Sequence, residues 1–296
     1  MLNILLCIAG AFFIFLLWVM IFDTNRFVVR NYCVTDQKIR QDCRMVVLAD
    51  LHDKVYGQDN RILLDAIRAQ EPDFIAVAGD VLTAWPKEKL DKALFFMGEV
   101  SRIAPVFYGN GNHEHRLKLY PETYGTLAGE YEEGLKKIGL RRLMNAYTVL
   151  REKGIAVYGT EIGKEYYKRG SVRRMDGDYL DRLLGKPDQE LYTILIAHNP
   201  DYFENYAKWG ADLTLSGHIH GGIIRVPFIG KGVLSPAVRF FPKYDGGLFE
   251  NGGRKMIISR GLGTHTIPFR LFNPGELVVV DLKRGDVDKT VQDKGI

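Results

Sequence analysis

The stretch RMVVLADLHDKVYGQDNRILLDAIRAQEPDFIAVAGD, residues 44–80, sets two apolar runs around one helical repeat. RMVVLAD (44–50) and DFIAVAGD (73–80) are short and rich in Val, Ile and Leu, so each reads as a buried strand. Between them, NRILLDAIRAQ (60–70) places Ile62, Leu63 and Ile67 on one helical face. Strand, helix, strand at this spacing predicts parallel pairing through a right-handed crossover. The pattern continues outward. KEKLDKALFFMGEV (87–100) reads as an amphipathic helix, and PVFYGNGNHE (105–114) as a strand running into a glycine-punctuated loop. The middle is less regular, with a helix near 129–138 and strands near 147–151 and 155–158. LYTILIAHNP (191–200), PDYFENYAKWG (200–210) and ADLTLSGHIH (211–220) then restore the alternation, and strands are expected near 255–259 and 276–282. This order gives the fold class α/β, with no internal repeat or low-complexity linker to divide it.

Composition is that of an ordinary globular protein, 46% hydrophobic and 26% charged. The formal net charge of +4 is spread along the chain without a block of like charges, so no nucleic-acid partner is expected. The exception is Ile4–Phe22, which runs 19 residues without a charge and is long enough to cross a bilayer as a helix. No basic segment precedes it and no A-x-A follows, which reads as an uncleaved transmembrane anchor rather than a signal peptide. The expected organisation is an anchor over 1–26 and one domain over 27–296. Arg26, Arg30, Lys38 and Arg40 follow the run, so the positive-inside bias predicts a single-pass protein of the cell membrane with its domain in the cytoplasm. Cys7, Cys33 and Cys43 are too few for a disulfide framework. A Cys33–Cys43 bridge would require a domain outside the reducing cytosol.

The strands that run into loops rich in Gly, Asn or His end in residues of metal-ligand type. These are Asp50 and His52 of DLH, Asp80 of GD, Asn112 and His113 of GNHE, His198 of AHNPD, and His218 and His220 of GHIH. By itself GHIH is more simply a solvated loop, but the other motifs change that weighting. In an open α/β sheet, ligands bind beyond the carboxyl ends of the strands, so the fold would gather these groups on one edge. With His113 set aside, the mixture of imidazole, carboxylate and amide suits Mn, Fe or Zn better than Mg or Ca. The seven remaining groups are too many for one tetrahedral ion. Two ions sharing a bridging carboxylate would use them all and leave positions open for water and substrate.

In their order from Asp50 to His220, the five motifs resemble those of the calcineurin-like metallophosphoesterases. The resemblance implies a four-layer α/β/β/α sandwich and two divalent metal ions, Mn first, with Fe or Zn as alternatives. It implies that Asp50, His52 and His220 bind the first metal, that Asp80 bridges, and that Asn112, His198 and His218 hold the second. His113 would stay off the metals as the catalytic general acid. The reaction implied is hydrolysis of a phosphate ester by a hydroxide bridging the two ions. The anchor, with FPKYDGGLFE (241–250) and SRGLGTHTIPFRLFNPGEL (259–277), is similar to a membrane-associated branch of that superfamily, the YaeI/YkuE-like phosphodiesterases. Ala49 stands where that branch usually has serine, a departure that leaves the ligands intact. The activity expected is cleavage of a phosphodiester or pyrophosphate bond, with a lipid-linked substrate such as UDP-2,3-diacylglucosamine. The alternatives are a broad-specificity phosphoesterase, a protein phosphatase, and a metal-binding scaffold that has lost catalysis. A scaffold tends to lose a ligand or the acid, and all eight groups are present here.

Other residues have weaker claims. His115 reads as a surface group or as one that orients a ligand. His265 and Arg260 lie in a glycine-rich loop on the same edge, where phosphate contact and loop packing are equally good readings. Lys164, Lys168, Arg169, Arg173 and Arg174 form either a basic lid or a solvated face. The apolar stretch IIRVPFIGKGVL (223–234), with Phe240 and Phe241, either packs over the sheet edge or meets acyl chains.

Overall fold

A computed structural model describes residues 1–285 apart from 88, 237, 265 and 266. Helix α1 (Leu2–Thr24) is followed by strands β1 (Phe27–Asp36) and β2 (Cys43–Leu48). Then come α2 (Arg61–Arg68), β3 (Phe74–Ala78), α3 (Asp91–Ser101), β4 (Val106–Gly109) and three helices, α4 (Asn112–Leu119), α5 (Pro121–Tyr124) and α6 (Leu127–Lys137). The second half contains β5 (Ala146–Leu150), β6 (Ile155–Gly159), α7 (Tyr179–Leu184), β7 (Tyr192–Ile196), α8 (Phe203–Trp209), β8 (Leu213–Ser216), β9 (Gly247–Asn251), β10 (Arg254–Ile258) and β11 (Gly275–Arg284).

The strands form two sheets, ordered β1-β11-β2-β3-β4 and β5-β6-β7-β8-β10-β9. β2, β3 and β4 run parallel, as do β6, β7, β8 and β10, as the strand-helix-strand reading predicts. Side chains alternate between two buried faces along these strands. Met45, Val47, Ala76 and Ala78 of one sheet pack against Val157, Ile194, Ile196 and Leu215 of the other. Their alternates, Val46, Leu48, Ile75 and Val77, pack with Leu63, Ile67, Phe96, Met97 and Tyr131 from α2, α3 and α6. On the far side, Ala156, Tyr158 and Leu195 meet Leu180, Tyr206 and Trp209 from α7 and α8. The layers are therefore helix, sheet, sheet, helix, which is the expected sandwich.

Four local expectations are corrected. On α2 the buried face is Leu63, Leu64 and Ile67, whereas Ile62 is 59% exposed. Residues 63, 64 and 67 follow the one-turn spacing that a single contact face requires. The segment after β4 is not a loop, because Asn112 opens α4. β1 and β9 were not expected as strands: in β1 Arg30 and the exposed Asn31 interrupt the apolar residues, and in β9 only Leu248 and Phe249 precede the exposed Glu250 and Asn251. Finally, β11 lies between β1 and β2, with Cys33 opposite Asp281 and Cys43 opposite Leu282. Two strand spacings, roughly 9–10 Å, exceed the reach of a disulfide. The cysteines are free.

α1 is long and apolar enough to cross a membrane, and only 6% of its apolar window is buried. Its buried residues are Val19 and Asp23, so contact with the rest of the chain is concentrated near its C-terminal end.

Candidate metal centre

Each motif sits just beyond the end of its strand. Asp50 follows β2, which ends at Leu48, and Asp80 follows β3, which ends at Ala78. Asn112 opens α4 after β4, His198 follows β7, and His218 follows β8. Parallel strands place these ends on a common edge of each sheet, and the face-to-face stacking brings the two edges together. Cross-sheet hydrogen bonds tie them. The His218 N–H donates to the Asp50 carboxylate at 3.0 Å, and His198 Nδ1 lies 2.6 Å from the Ala78 carbonyl.

The structure gathers all eight residues. Asp50, His52 and His220 present ligand atoms within 4.8 Å of one another, as do Asp80, His198 and His218, and also His52, Asp80 and His113. Asn112 lines the same pocket. Asp80 Oδ2 lies 3.0 Å from His198 Nε2 and 3.7 Å from His52 Nε2, between the two groups. Two observations test whether a cation fits. His52 Nε2 and His220 Nε2 lie 3.2 Å apart, a separation at which two ring lone pairs repel unless a proton or a cation lies between them. Asn112 Oδ1 is buried with no hydrogen-bond partner, and such a group needs a donor or a cation. The Nδ1–H of His198 donates to the Ala78 carbonyl, which leaves Nε2 to take a proton or a cation on the pocket side. The residues fit two divalent cations.

Electrostatics agree with that fit. Burial pushes the Asp50 carboxyl up to about 7, against the pull of His198. Burial also opposes charge on His198, but the Asp80 and Asp50 carboxylates outweigh it and raise the ring to about 10. Asp80 is held well below the carboxylate range because the neighbouring His198 overcomes its burial. Burial and the nearby His198 take His218 down to about 3. A pocket that draws a proton onto one ring and denies it to the next has a strong preference for positive charge at fixed points.

The backbone here is strained. Asp50, His52, Asp80, His218 and His220 all have φ between 48° and 70°. Asp and His tolerate this left-handed region better than most residues, at roughly 1–2 kcal/mol each. Two glycines allow the close approach. A Cβ on Gly111 would collide with the Asp80 carboxylate, and one on Gly217 with that of Asp50.

Sequence reasoning assigned no role to Glu114, Arg116 or Tyr167. The Glu114 carboxylate is 2% exposed and accepts the backbone N–H groups of Asp80, Val81 and Gly111 at 2.8–2.9 Å. Glu114 stands three residues after the N-cap Gly111, a helix-capping position readable only once α4 is recognised. Arg116 lies one turn after Asn112 on α4 and lines the pocket with Tyr167 and Arg169. No motif marks them.

The remaining candidates fall elsewhere. His115 Nε2 lies 3.6 Å from Glu161, and burial lowers its pKa. Arg260 packs in its loop, 3.6 Å from the Glu276 carboxylate, while His265 lies outside the described residues. Lys164, Lys168, Arg173 and Arg174 are on the exposed face, and of the basic stretch only Arg169 lines the pocket.

Comparison with known proteins agrees with this geometry. Residues 43–222 match the calcineurin-like phosphoesterase family. An uncharacterized metallophosphoesterase of Bacillus subtilis, YkuE, is 26% identical over 255 residues, covering 81% of this chain and 79% of its own. Phosphodiesterase YaeI of Escherichia coli is 27% identical over 229 residues, covering 75% of each chain. The crystal structure of TT1561 from Thermus thermophilus aligns with a TM-score of 0.46 over 75% of this chain and 92% of its own, at 12% identity. With the family match spanning most of the chain and its motifs converging on one pocket, the protein belongs to the calcineurin-like phosphoesterases.

Proposed function

We propose that this chain is a membrane-anchored phosphohydrolase using two divalent metals, Mn before Fe or Zn, to cleave a phosphodiester or pyrophosphate bond. The observation that carries this reading is the sharing of Asp80 between overlapping ligand groups in one pocket. Asp50, His52 and His220 would hold one ion, Asn112, His198 and His218 the other, and Asp80 both. Bound there, the ions would supply an acidified water nucleophile and neutralise charge on the phosphoryl oxygens. The chain's own residues do the rest. Arg116 and Arg169 at the pocket wall offer guanidinium donors to phosphate oxygens. The Ala84 N–H donates to His113 Nδ1 at 2.8 Å, so the ring proton of neutral His113 is on Nε2, where it can be offered to the departing oxygen. A metal-binding scaffold without catalysis would not need His113 and two arginines around its ligands.

A lipid-linked substrate, of which UDP-2,3-diacylglucosamine is an example, is supported by the surface around the pocket. The segment 223–241, residue 237 aside, is held by the isolated antiparallel bridges Arg225–Gly232 and Leu234–Phe240. It exposes Phe228, Ile229, Val238, Phe240 and Phe241, while its Pro236 lines the pocket. Its Ile224 forms a single parallel bridge with Leu271, beside the residues that receive the end of α1. An anchored helix would therefore hold an apolar surface and the pocket mouth close to the bilayer. The test uses full-length protein loaded with Mn²⁺ in detergent micelles, with ³¹P NMR following UDP-2,3-diacylglucosamine and UDP-N-acetylglucosamine. Hydrolysis with kcat/KM at least about tenfold higher for the lipid form, a difference of about 1.4 kcal/mol, is expected. Equal rates would remove the lipid reading, and no hydrolysis of these or of simple phosphodiesters would remove the enzymatic one.

A further inference from the structure

The C-terminal end of α1 is hydrogen-bonded to a short strap that in turn contacts the loop carrying His220. Asp23, the penultimate residue of α1, is 3% exposed. Its Oδ1 accepts Arg26 Nη2 at 2.8 Å, and its Oδ2 accepts the backbone N–H of Asn273 at 3.0 Å. Next to it, Thr24 Oγ1 accepts the backbone N–H of Arg270 at 2.9 Å. The end of the helix thus fixes both ends of the short strap 270–273.

From that strap two buried side chains reach the loop that carries His220. Asn273 Nδ2 donates to the His220 carbonyl at 2.8 Å and to the Gly222 carbonyl. Arg270, 2% exposed, directs its guanidinium at carbonyls, reaching Arg260 at 2.8 Å, Gly261 at 3.1 Å and His220 at 3.5 Å. A buried guanidinium satisfied by several carbonyls at once tolerates little displacement of any of them. The loop it grips has little stiffness of its own. His220 has φ 53°, and Gly221 and Gly222, with φ 71° and 75°, follow it.

We propose that Asp23 and Thr24, acting through Arg270 and Asn273, are positioning residues for the ion site formed by Asp50, His52 and His220. The apolar helix is then a clamp on the His220 backbone as well as a tether. This rests on reading those three residues as one ion site. It requires neither a membrane nor a particular substrate.

The test titrates Mn²⁺ into metal-free full-length protein in detergent micelles, with the free ion followed by electron paramagnetic resonance. Two binding events are expected for the native sequence. Asp23→Ala should weaken one of them by about 10–100-fold, the range for groups that orient metal ligands, and leave the other unchanged. In a His220→Ala background, which has already lost the affected event, Asp23→Ala should change nothing further. Equal weakening of both events, or an undiminished effect in the His220→Ala background, would overturn the clamp. If Asp23→Ala does not fold, Thr24→Val removes a single acceptor at nearly constant volume. It should weaken the same event by a smaller factor, and unaltered Mn²⁺ binding in that variant overturns the proposal. A native protein that binds no Mn²⁺ removes the ion-site reading itself, whereas two normal events unmoved by these variants remove only the clamp.

Discussion

At His113 one backbone contact limits the chemistry. With Nδ1 accepting the Ala84 N–H, a proton added to that nitrogen would face another donor, so the ring is best suited to donating from Nε2 while neutral. A neutral imidazole stabilises charge on a leaving oxygen by hydrogen bonding more readily than it surrenders the proton. Its contribution should therefore lie near the low end for acid–base groups, about 10²-fold. His113→Ala is expected to keep its Mn²⁺ affinity and to lose about that factor in kcat on alkyl phosphodiesters, with a smaller loss on nitrophenyl ones. A leaving-group series measures this. Losses independent of the leaving group would place His113 away from the departing oxygen.

Among the elements, α4 does the most to connect the two ligand loops of the first sheet. Its Asn112 and His113 occupy the first turn, and Glu114 reaches back to the N–H groups of Gly111, Asp80 and Val81. Tyr108 at the end of β4 donates a further hydrogen bond to the same carboxylate at 2.8 Å. One carboxylate thereby sets the start of the helix and the turn that presents Asp80. Replacing it by an amide puts an NH₂ group against donors in a buried site. Glu114→Gln should lower stability by about 1–3 kcal/mol, read as a lower denaturant midpoint at an unchanged slope. A midpoint within error of the native protein would mean that the three N–H groups find other acceptors.

For the molecule as a whole, the buried Asp50 and His198 link stability to pH. In the metal-free fold Asp50 titrates near 7 against an ordinary 3.8, and His198 near 10 against 6.5, each raised by its surroundings. Both groups bind a proton more tightly folded than unfolded. Their stabilisation is complete below the ordinary values and is lost as pH rises through 7 and then through 10. Chelator-treated protein should therefore show a melting temperature that falls between about pH 6.5 and 10. Mn²⁺-loaded protein should melt higher, by the equivalent of about 2.7 kcal/mol per ion at 100 times Kd, and should lack that decline because the cations replace the protons. Scanning calorimetry of the two forms checks both statements. A metal-free melting temperature that rises across the window would contradict the assignment of these groups.

What the amino-acid order determined by itself was local chemistry. Apolar runs of strand length, each followed within a few residues by Asp, Asn or His, are contiguous in the chain, so Asp50, Asp80, Asn112, His198 and His218 could be read without coordinates. The parallel pairing of β2, β3 and β4 followed from the helices between them, and the apolar helix α1 from composition. The tertiary structure decided what depends on distant partners. β11 enters between β1 and β2 from more than two hundred residues away, which separates Cys33 from Cys43. Glu114 meets Asp80 across 34 residues, and Asp23 meets Asn273 across 250. No periodicity encodes such contacts. They exist because buried N–H and C=O groups at loop ends must find partners, and which partners are within reach is fixed only when the two sheets have stacked.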